Sequence, residues 1–225
     1  PVAVSLSTGC FEVSTTVFPY TSWNTPYIHT AFGNGAATCA GLETAYTALK
    51  KKGKIKGDIK FVNFAGDGAT YDIGLQALSG AMERGHKMMY VCLNNEAYMN
   101  TGIQRSSATT LGASTTTSWA GSVQSGKKEF SKDMTEVIVA HNIPYVAQVS
   151  PHNWRDTVTK ASKGFAADGP SFINAISPCP RGWRFPTDET INMARLAVET
   201  CVWPLYEVVN GKYILTAESA RIADG

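Results

Sequence analysis

Residues 59–95 read IKFVNFAGDGATYDIGLQALSGAMERGHKMMYVCLNN and hold two short apolar runs, each ending in a polar turn. The runs IKFVNF (59–64) and MMYVCL (88–93) are rich in aromatic and β-branched residues. The stretch between them, about 72–84, has helical spacing. Strand, helix, strand at this length is the unit from which a parallel sheet with helices on both faces is built. Parallel strands point their carboxyl ends the same way, so Gly66-Asp67-Gly68 and Asn94-Asn95 are expected to open into one crevice at that edge. Open α/β sheets bind ligands there.

The pattern continues outward in both directions. VAVSLS (2–7) reads as a strand ending at Thr8-Gly9-Cys10, and GAATCAGLETAYTALKKKG (35–53) as a helix stopped by Gly53. Helices near 133–141 and 153–166 alternate with strands PYVAQV (144–149) and SFINAI (171–176), and a last helix spans about 188–200. Residues 100–132 are polar, rich in Thr and Ser, and without period. A loop of that length inside a compact domain is usually functional. The expectation is one α/β domain over residues 1–225. Because the chain starts with Pro1 and enters a strand at once, sequence upstream of it is expected to be missing.

Composition narrows the function. The chain is 44% hydrophobic and 17% charged with a net charge of +2, an ordinary globular balance whose low charge suits burial against partner chains. Lys50-Lys51-Lys52 is the longest basic run and reads as a solvated helix end, so nothing calls for nucleic acid. No apolar run approaches the roughly 20 residues that span a bilayer, and a cytoplasmic location is expected. Five cysteines without a C-x-x-C argue against a disulfide framework. Cys39 and Cys201, in helical patterns, and Cys92, in a strand, read as small hydrophobes. Cys10 and Cys179 instead stand in loops beside Gly or Pro.

Asp67 at the tip of one strand and Asn95 past the next supply a carboxylate and an amide oxygen, the ligand chemistry of Mg²⁺ carrying a diphosphate. Gly66 and Gly68 let backbone come close to the phosphates. Asp67 is expected in a surface crevice, so that its loss spares the fold. Its other reading is as the cap of the following helix, and an anion beside a helix N-terminus is compatible with both. Gly33-Asn34-Gly35 is either a second close approach to the cofactor or an ordinary helix entry. His29 in YIHTAF lies near the site or is structural, and His86 and His141 read as surface or cap residues.

GDG followed 28 positions later by the second Asn of NN resembles the cofactor motif of thiamine diphosphate enzymes. ALSGAMERGH, NNEAYMNTGIQRS, AHNIPYVA and SPCPRGWRFP narrow the resemblance to the β subunit of the 2-oxoacid:ferredoxin oxidoreductases, over residues 1 to about 215. The resemblance implies the thiamine diphosphate-binding fold, with Mg²⁺ held by Asp67, Asn95 and the backbone carbonyl of Ala97. Thr8, Gly9, Gly66 and Gly68 would lie against the cofactor, and Asn100 and Thr101 near its diphosphate and reacting end, Asn100 in a catalytic role. Cys10 and Cys179 match two of the four cysteines that hold a [4Fe-4S] cluster. The other pair, a C-x-x-C about 25 residues upstream of Cys10, would fall before Pro1.

The activity implied is oxidative decarboxylation of a 2-oxoacid, or its reverse, with pyruvate the leading substrate and oxalate the nearest rival. Electrons would leave through the cluster to ferredoxin, and with pyruvate coenzyme A would take the acyl group. The partners implied are a pyrimidine-binding α-type subunit, which brings the activating glutamate, and a ferredoxin-like subunit. Without such a partner the activating carboxylate would have to be Glu43, Glu83 or Glu96. Arg181, Trp183 and Arg184 would shield the cluster or meet a partner. A non-redox thiamine diphosphate decarboxylase or synthase, and a non-catalytic assembly subunit, remain alternatives. A different nucleotide-binding protein is disfavoured, since neither G-x-x-x-x-G-K-[ST] nor G-x-G-x-x-G is present.

Overall fold

β-rich runs and amphipathic runs alternate from the first residue of the chain. In the computed structural model, which describes residues 1–224, they form β1 (Val2–Ser7), α1 (Cys10–Thr15), β2 (Tyr27–Thr30), α2 (Gly35–Lys51), β3 (Lys60–Gly66), α3 (Leu75–Glu83), β4 (Met89–Asn94), α4 (Met134–Val139), β5 (Tyr145–Val149), α5 (Trp154–Ala166) and β6 (Ser171–Ile176). After these come α6 (Pro180–Trp183), α7 (Thr190–Glu199), β7 (Tyr206–Val209), β8 (Lys212–Leu215) and α8 (Ala217–Asp224). All eight strands belong to one sheet in the order β2-β1-β3-β4-β6-β5-β7-β8. The first six in that order are parallel, and β7 and β8 add an antiparallel edge.

Successive residues of the central strands serve opposite faces, as the two-residue period of a strand requires. Phe61, Ala65, Tyr90, Cys92 and Phe172 enter the core on the face covered by α2, α3 and α4. Val62, Met89, Val91 and Ile173 enter the other, with Phe11 of α1 and Ala161 and Phe165 of α5. Burial on both faces is why these strands read as apolar runs and not as alternating ones. Two helix starts are fixed locally: Asp133 Oδ1 accepts the Glu136 N–H at 3.0 Å before α4, and Asn153 Oδ1 accepts the Asp156 N–H at 3.1 Å before α5.

Several elements depart from the sequence reading. The helix expected over 72–84 is two pieces, a π-type turn at Gly68–Asp72 and then α3, with Gly74 between them. Gly74 sits where a Cβ would overlap the Ala69 carbonyl, so the break follows from close packing behind the Asp67 turn. Short α1 and α6 begin at or just after Cys10 and Cys179, so those cysteines occupy helix N-termini and not open loops. Cys39 and Cys92 are fully buried as expected, but Cys201 is exposed, beyond the end of α7 in a left-handed conformation, φ 60°. The β7–β8 hairpin, not among the expected elements, turns at Asn210-Gly211. Both residues have positive φ, 48° and 78°, as a two-residue hairpin turn of this kind demands.

Register sets the carboxyl edge. Leu6 pairs with Phe64, Gly66 with Leu93, and Asn94 with Ile176. The segments leaving β1, β3, β4 and β6, which are Thr8-Gly9-Cys10, Asp67-Gly68, Asn95-Glu96-Ala97 and Ser177-Pro178-Cys179, therefore emerge side by side from four adjacent strands.

Candidate functional site

Of the two asparagines after β4, the structure gives them different tasks. Asn94 is 2% exposed; its Nδ2 donates to the Tyr71 hydroxyl at 3.1 Å and its Oδ1 accepts the Glu96 N–H at 3.0 Å. Asn95 turns the other way, with one end of its amide 2.9 Å from Asp67 Oδ1 and 2.8 Å from the Ala97 carbonyl oxygen. With nitrogen at that end, the amide donates to both. With oxygen there, it lies from the Asp67 and Ala97 oxygens at the spacing of neighbouring ligands on an octahedral Mg²⁺, about 2.9 Å for bonds of about 2.1 Å. The donor set therefore fits a hard cation. It uses one carboxylate, which explains why the described residues hold no group of three or more His, Cys, Asp or Glu placed for a metal.

The cation ligands lie in a cleft whose wall is the Gly66–Ala69 turn. A Cβ built on Gly66 meets no atom within 4 Å, so that flank is open to a ligand. Gly68 is glycine for another reason: a side chain there would overlap the Tyr98 ring, whose hydroxyl donates to the Gly68 carbonyl at 3.1 Å. Thr8, Gly9, Cys10 and Asn100 line the same cleft. Thr8 Oγ1 is also 2.8 Å from His29 Nε2, whose Nδ1 is 3.6 Å from Glu12, so His29 stands behind the cleft and supports its rim. Thr101 is not in the lining; its hydroxyl donates to Gln104 Oε1 at 2.5 Å and serves the turn that follows. Phe32, Tyr98 and Met99, none of them singled out in the sequence, complete the walls.

Asp67 is not in an exposed crevice but 1% exposed, covered by the 100–132 segment. Burial pushes its carboxyl up to about 7, against the opposing effect of a 2.5 Å hydrogen bond donated by Ser106 Oγ. A bound cation would supply the missing positive charge. The 100–132 segment has neither helix nor strand, yet it is folded and not a disordered excursion: Ser106, Ala108, Thr109 and Lys127 are each at most 3% exposed.

Three spacings of about 4.8 Å separate β1 from β6, so their loops must lean across the edge for Cys10 and Cys179 to meet. Burial first, and the charge of Cys179 next, raise the Cys10 thiol above the usual range. Cys179 Sγ accepts the Gly182 N–H at 3.4 Å. In the same loop Trp183 Nε1 donates to the Asn95 carbonyl at 3.0 Å and ties the cysteine loop to the cation loop. Arg181 and Arg184 are exposed.

Gly33-Asn34-Gly35 plays no part in the cleft beyond presenting Phe32. Gly35 begins α2 against Ser7 and Asn63, and Asn34 is exposed. Glu43 pairs with His86 at 2.9 Å, and His141 Nε2 with Ser79 Oγ at 2.7 Å, both away from the cleft. A larger cleft, about 800 Å³, lies at the amino ends of β3 and β4, the edge opposite Asp67. Three of its lysines are occupied, Lys50 by Asp58, Lys87 by Asp168 at 2.5 Å and Lys60 by the Phe165 carbonyl at 2.6 Å. Volume alone is a poor guide here, because the chemistry converges at the smaller cleft.

The family model for the thiamine pyrophosphate enzyme C-terminal TPP binding domain matches residues 7–175. Pyruvate synthase subunit PorB of Thermotoga maritima is 53% identical over 215 residues, covering 95% of this chain and 66% of that protein. The subunit of the same name from Methanocaldococcus jannaschii is 51% identical, with 97% and 74% covered. Ketoisovalerate oxidoreductase subunit VorB of Pyrococcus abyssi is 48% identical, with 91% and 66% covered. The chain thus spans about two thirds to three quarters of the length of these relatives. Among solved structures, 2-oxoglutarate:ferredoxin oxidoreductase from Magnetococcus marinus superposes with a TM-score of 0.67 at 21% identity over 86% of this chain and 59% of that one, which shows a shared fold.

Proposed function

The chain belongs to the thiamine pyrophosphate enzymes, and within them to the 2-oxoacid:ferredoxin oxidoreductase subunits typified by pyruvate synthase PorB, and from that premise we propose that it holds the Mg²⁺ and diphosphate of the cofactor in an enzyme acting on pyruvate. The observation that carries this is that Asp67 Oδ1 and the Ala97 carbonyl each lie within 2.9 Å of the Asn95 amide, next to the open flank of Gly66. Bound there, thiamine diphosphate supplies the carbanion chemistry that cleaves a 2-oxoacid beside its carbonyl.

What the chain's own residues do follows from their places. Asp67 contributes the single negative charge to the cation, and Asn95 and Ala97 contribute neutral oxygens, so the site holds a dication without cancelling the charge that neutralises the diphosphate. Gly66 admits the phosphates. Asn100 and the Thr8-Gly9 turn face the same cleft and orient what lies beyond it. Tyr98 and Phe32, rings 5.8 Å apart, exclude water from its far side.

Cys10 and Cys179 supply two thiolates of a [4Fe-4S] cluster, and donors such as the Gly182 N–H tune the sulfurs. Four thiolates are required, so the remaining two come from outside these 225 residues. The pyrimidine-binding chain, a ferredoxin-like subunit, ferredoxin and coenzyme A complete the proposal; oxalate in place of pyruvate is the competing substrate.

The test uses the assembled complex. Cys10→Ser and Cys179→Ser should each abolish the cluster's electron paramagnetic signal and ferredoxin reduction, whereas exposed Cys201→Ser should leave both unchanged. Retention of a full signal by either of the first two sinks the cluster assignment. Stoichiometric thiamine diphosphate in an Asp67→Ala complex sinks the cation site.

A further inference from the structure

The ligands of the cation site do not hold themselves in place. Asp67 lies on one loop, and Asn95 and Ala97 on another. Between those two ligands Glu96 adopts a left-handed backbone, φ 66°, which a non-glycine residue takes only when its surroundings impose it. Both loops are met by a third segment, the turn Ser106–Thr109.

Ser106 is completely buried, and its hydroxyl and its backbone N–H are both engaged. Its Oγ accepts the Ala108 N–H at 3.2 Å, and a backbone N–H can only donate. With the carboxylate ionised, as a cation ligand must be, Asp67 can only accept, and the hydroxyl proton goes to its Oδ2 at 2.5 Å. That bond occupies one carboxylate oxygen and leaves Oδ1, the one beside Asn95, for the cation. The Ser106 N–H donates to Thr109 Oγ1 at 2.9 Å, and that hydroxyl donates onward to the Glu96 carbonyl at 2.5 Å. Thr110 Oγ1 holds the Glu96 carboxylate at 2.7 Å.

The turn is anchored from behind by Lys127, 1% exposed, whose ammonium donates to the Thr109 carbonyl at 2.5 Å and the Ser107 carbonyl at 3.1 Å. A lysine is rarely buried so completely. Here it fixes the carbonyls on either side of Ala108.

Resting on the reading of Asp67, Asn95 and Ala97 as cation ligands, we propose that the Ser106–Thr109 turn, clamped by Lys127, is the positioning element of the site, with Ser106 orienting Asp67 and Thr109 holding the Glu96 backbone that presents Ala97. These are positioning residues, since none touches the cation. Removing an outer partner of a metal ligand typically weakens metal binding by about 10–100-fold.

The experiment titrates Mg²⁺, at fixed thiamine diphosphate, into the assembled complex stripped of cofactor by a chelator, and follows cofactor binding by calorimetry. Ser106→Ala should raise the Mg²⁺ concentration for half-maximal binding by about 10–100-fold, while turnover at saturating Mg²⁺ is restored. Lys127→Met should shift it in the same direction by less. Should Ser106→Ala fail to assemble, Thr109→Val decides, by the same shift. A folded Ser106→Ala or Thr109→Val complex with the wild-type Mg²⁺ requirement overturns the inference while leaving the cation site standing. An Asp67→Ala complex with the wild-type requirement overturns the site itself.

Discussion

Two tripeptides of this chain, Gly33-Asn34-Gly35 and Gly66-Asp67-Gly68, share the same form, glycine on both sides of a short polar residue, and the fold uses them in opposite ways. In the first, both glycines are needed because protein presses on them. A Cβ at Gly33 would lie 2.9 Å from the Ile73 carbonyl, and one at Gly35 would overlap Ser7 and Asn63, while Asn34 faces solvent. In the second, Gly66 is open on its Cβ side, and the middle residue is the buried one. Spacing cannot separate a glycine that admits a ligand from a glycine that admits a neighbouring strand. What separates them is position: Asp67 leaves the carboxyl end of a central strand, whereas Asn34 precedes a helix that lies on the sheet.

The sharpest break of this comparison is at the middle residues. Asp67→Ala should weaken Mg²⁺-dependent thiamine diphosphate binding by more than about 100-fold, beyond the range for an outer partner, and Asn34→Ala should leave it unchanged. Asn95→Ala, which removes a neutral oxygen, should fall between them. Calorimetric titration of the assembled variants reads all three.

Next is the pH dependence of stability. A carboxyl held at about 7 in the fold, against about 3.9 in an unfolded chain, is protonated when folded and ionised when unfolded between those values. In that window the unfolded state binds fewer protons, so cation-free stability falls as pH rises through it, by a few kcal/mol at roughly 1.4 kcal/mol per unit. Asp67→Asn should remove that slope and be more stable than the wild type at pH 8 without Mg²⁺, the order reversing when Mg²⁺ and cofactor are added. The matched control, Asn34→Asp at an exposed position, should change stability by less than about 0.5 kcal/mol at any pH. Chemical denaturation across pH 4 to pH 8 measures both; a flat wild-type profile would contradict the buried, uncompensated carboxyl.

The smallest expected effect separates the glycines. Gly35→Ala should cost about 1–3 kcal/mol through overpacking against Ser7 and Asn63 and leave the Mg²⁺ requirement unchanged. Gly66→Ala should cost little stability and instead impair cofactor binding. Thermal melting beside cofactor titration shows whether the two variants fail in these opposite ways. If Gly66→Ala loses only stability, the open flank is not a ligand's path.

The sheet was legible because its central strands are buried on both faces and so appear as uninterrupted apolar runs: β1, β3, β4, β5 and β6 lie within two residues of their expected bounds. The edges were not. β2 is a four-residue exposed strand inside an aromatic run, and its partner β1 is what makes Tyr27–Thr30 a strand. The hairpin is marked in the sequence by its turn, Asn210-Gly211, but its strands are only four residues long and β8 is exposed throughout. In the site, Asp67 and Asn95 were suggested by residue type at the ends of strands, whereas Cys10 and Cys179 were singled out as ligands only by the family resemblance. Thr101 does not line the cleft, because its hydroxyl is taken by Gln104.

By itself the sequence determined which strands form the middle of the sheet, which way they run, and which polar residues stand at their carboxyl ends, because hydrophobic period and turn chemistry are local properties of the chain. Only the tertiary structure decided that Asn94 supports while Asn95 faces Asp67, that the irregular 100–132 segment closes over the carboxylate, and that Ser106 and Lys127 hold it there. Those are contacts between residues far apart along the chain, 39 positions in the case of Ser106 and Asp67. A hydrogen bond between a serine and an aspartate leaves no period and no motif, and it exists only once register and packing have brought the two loops together.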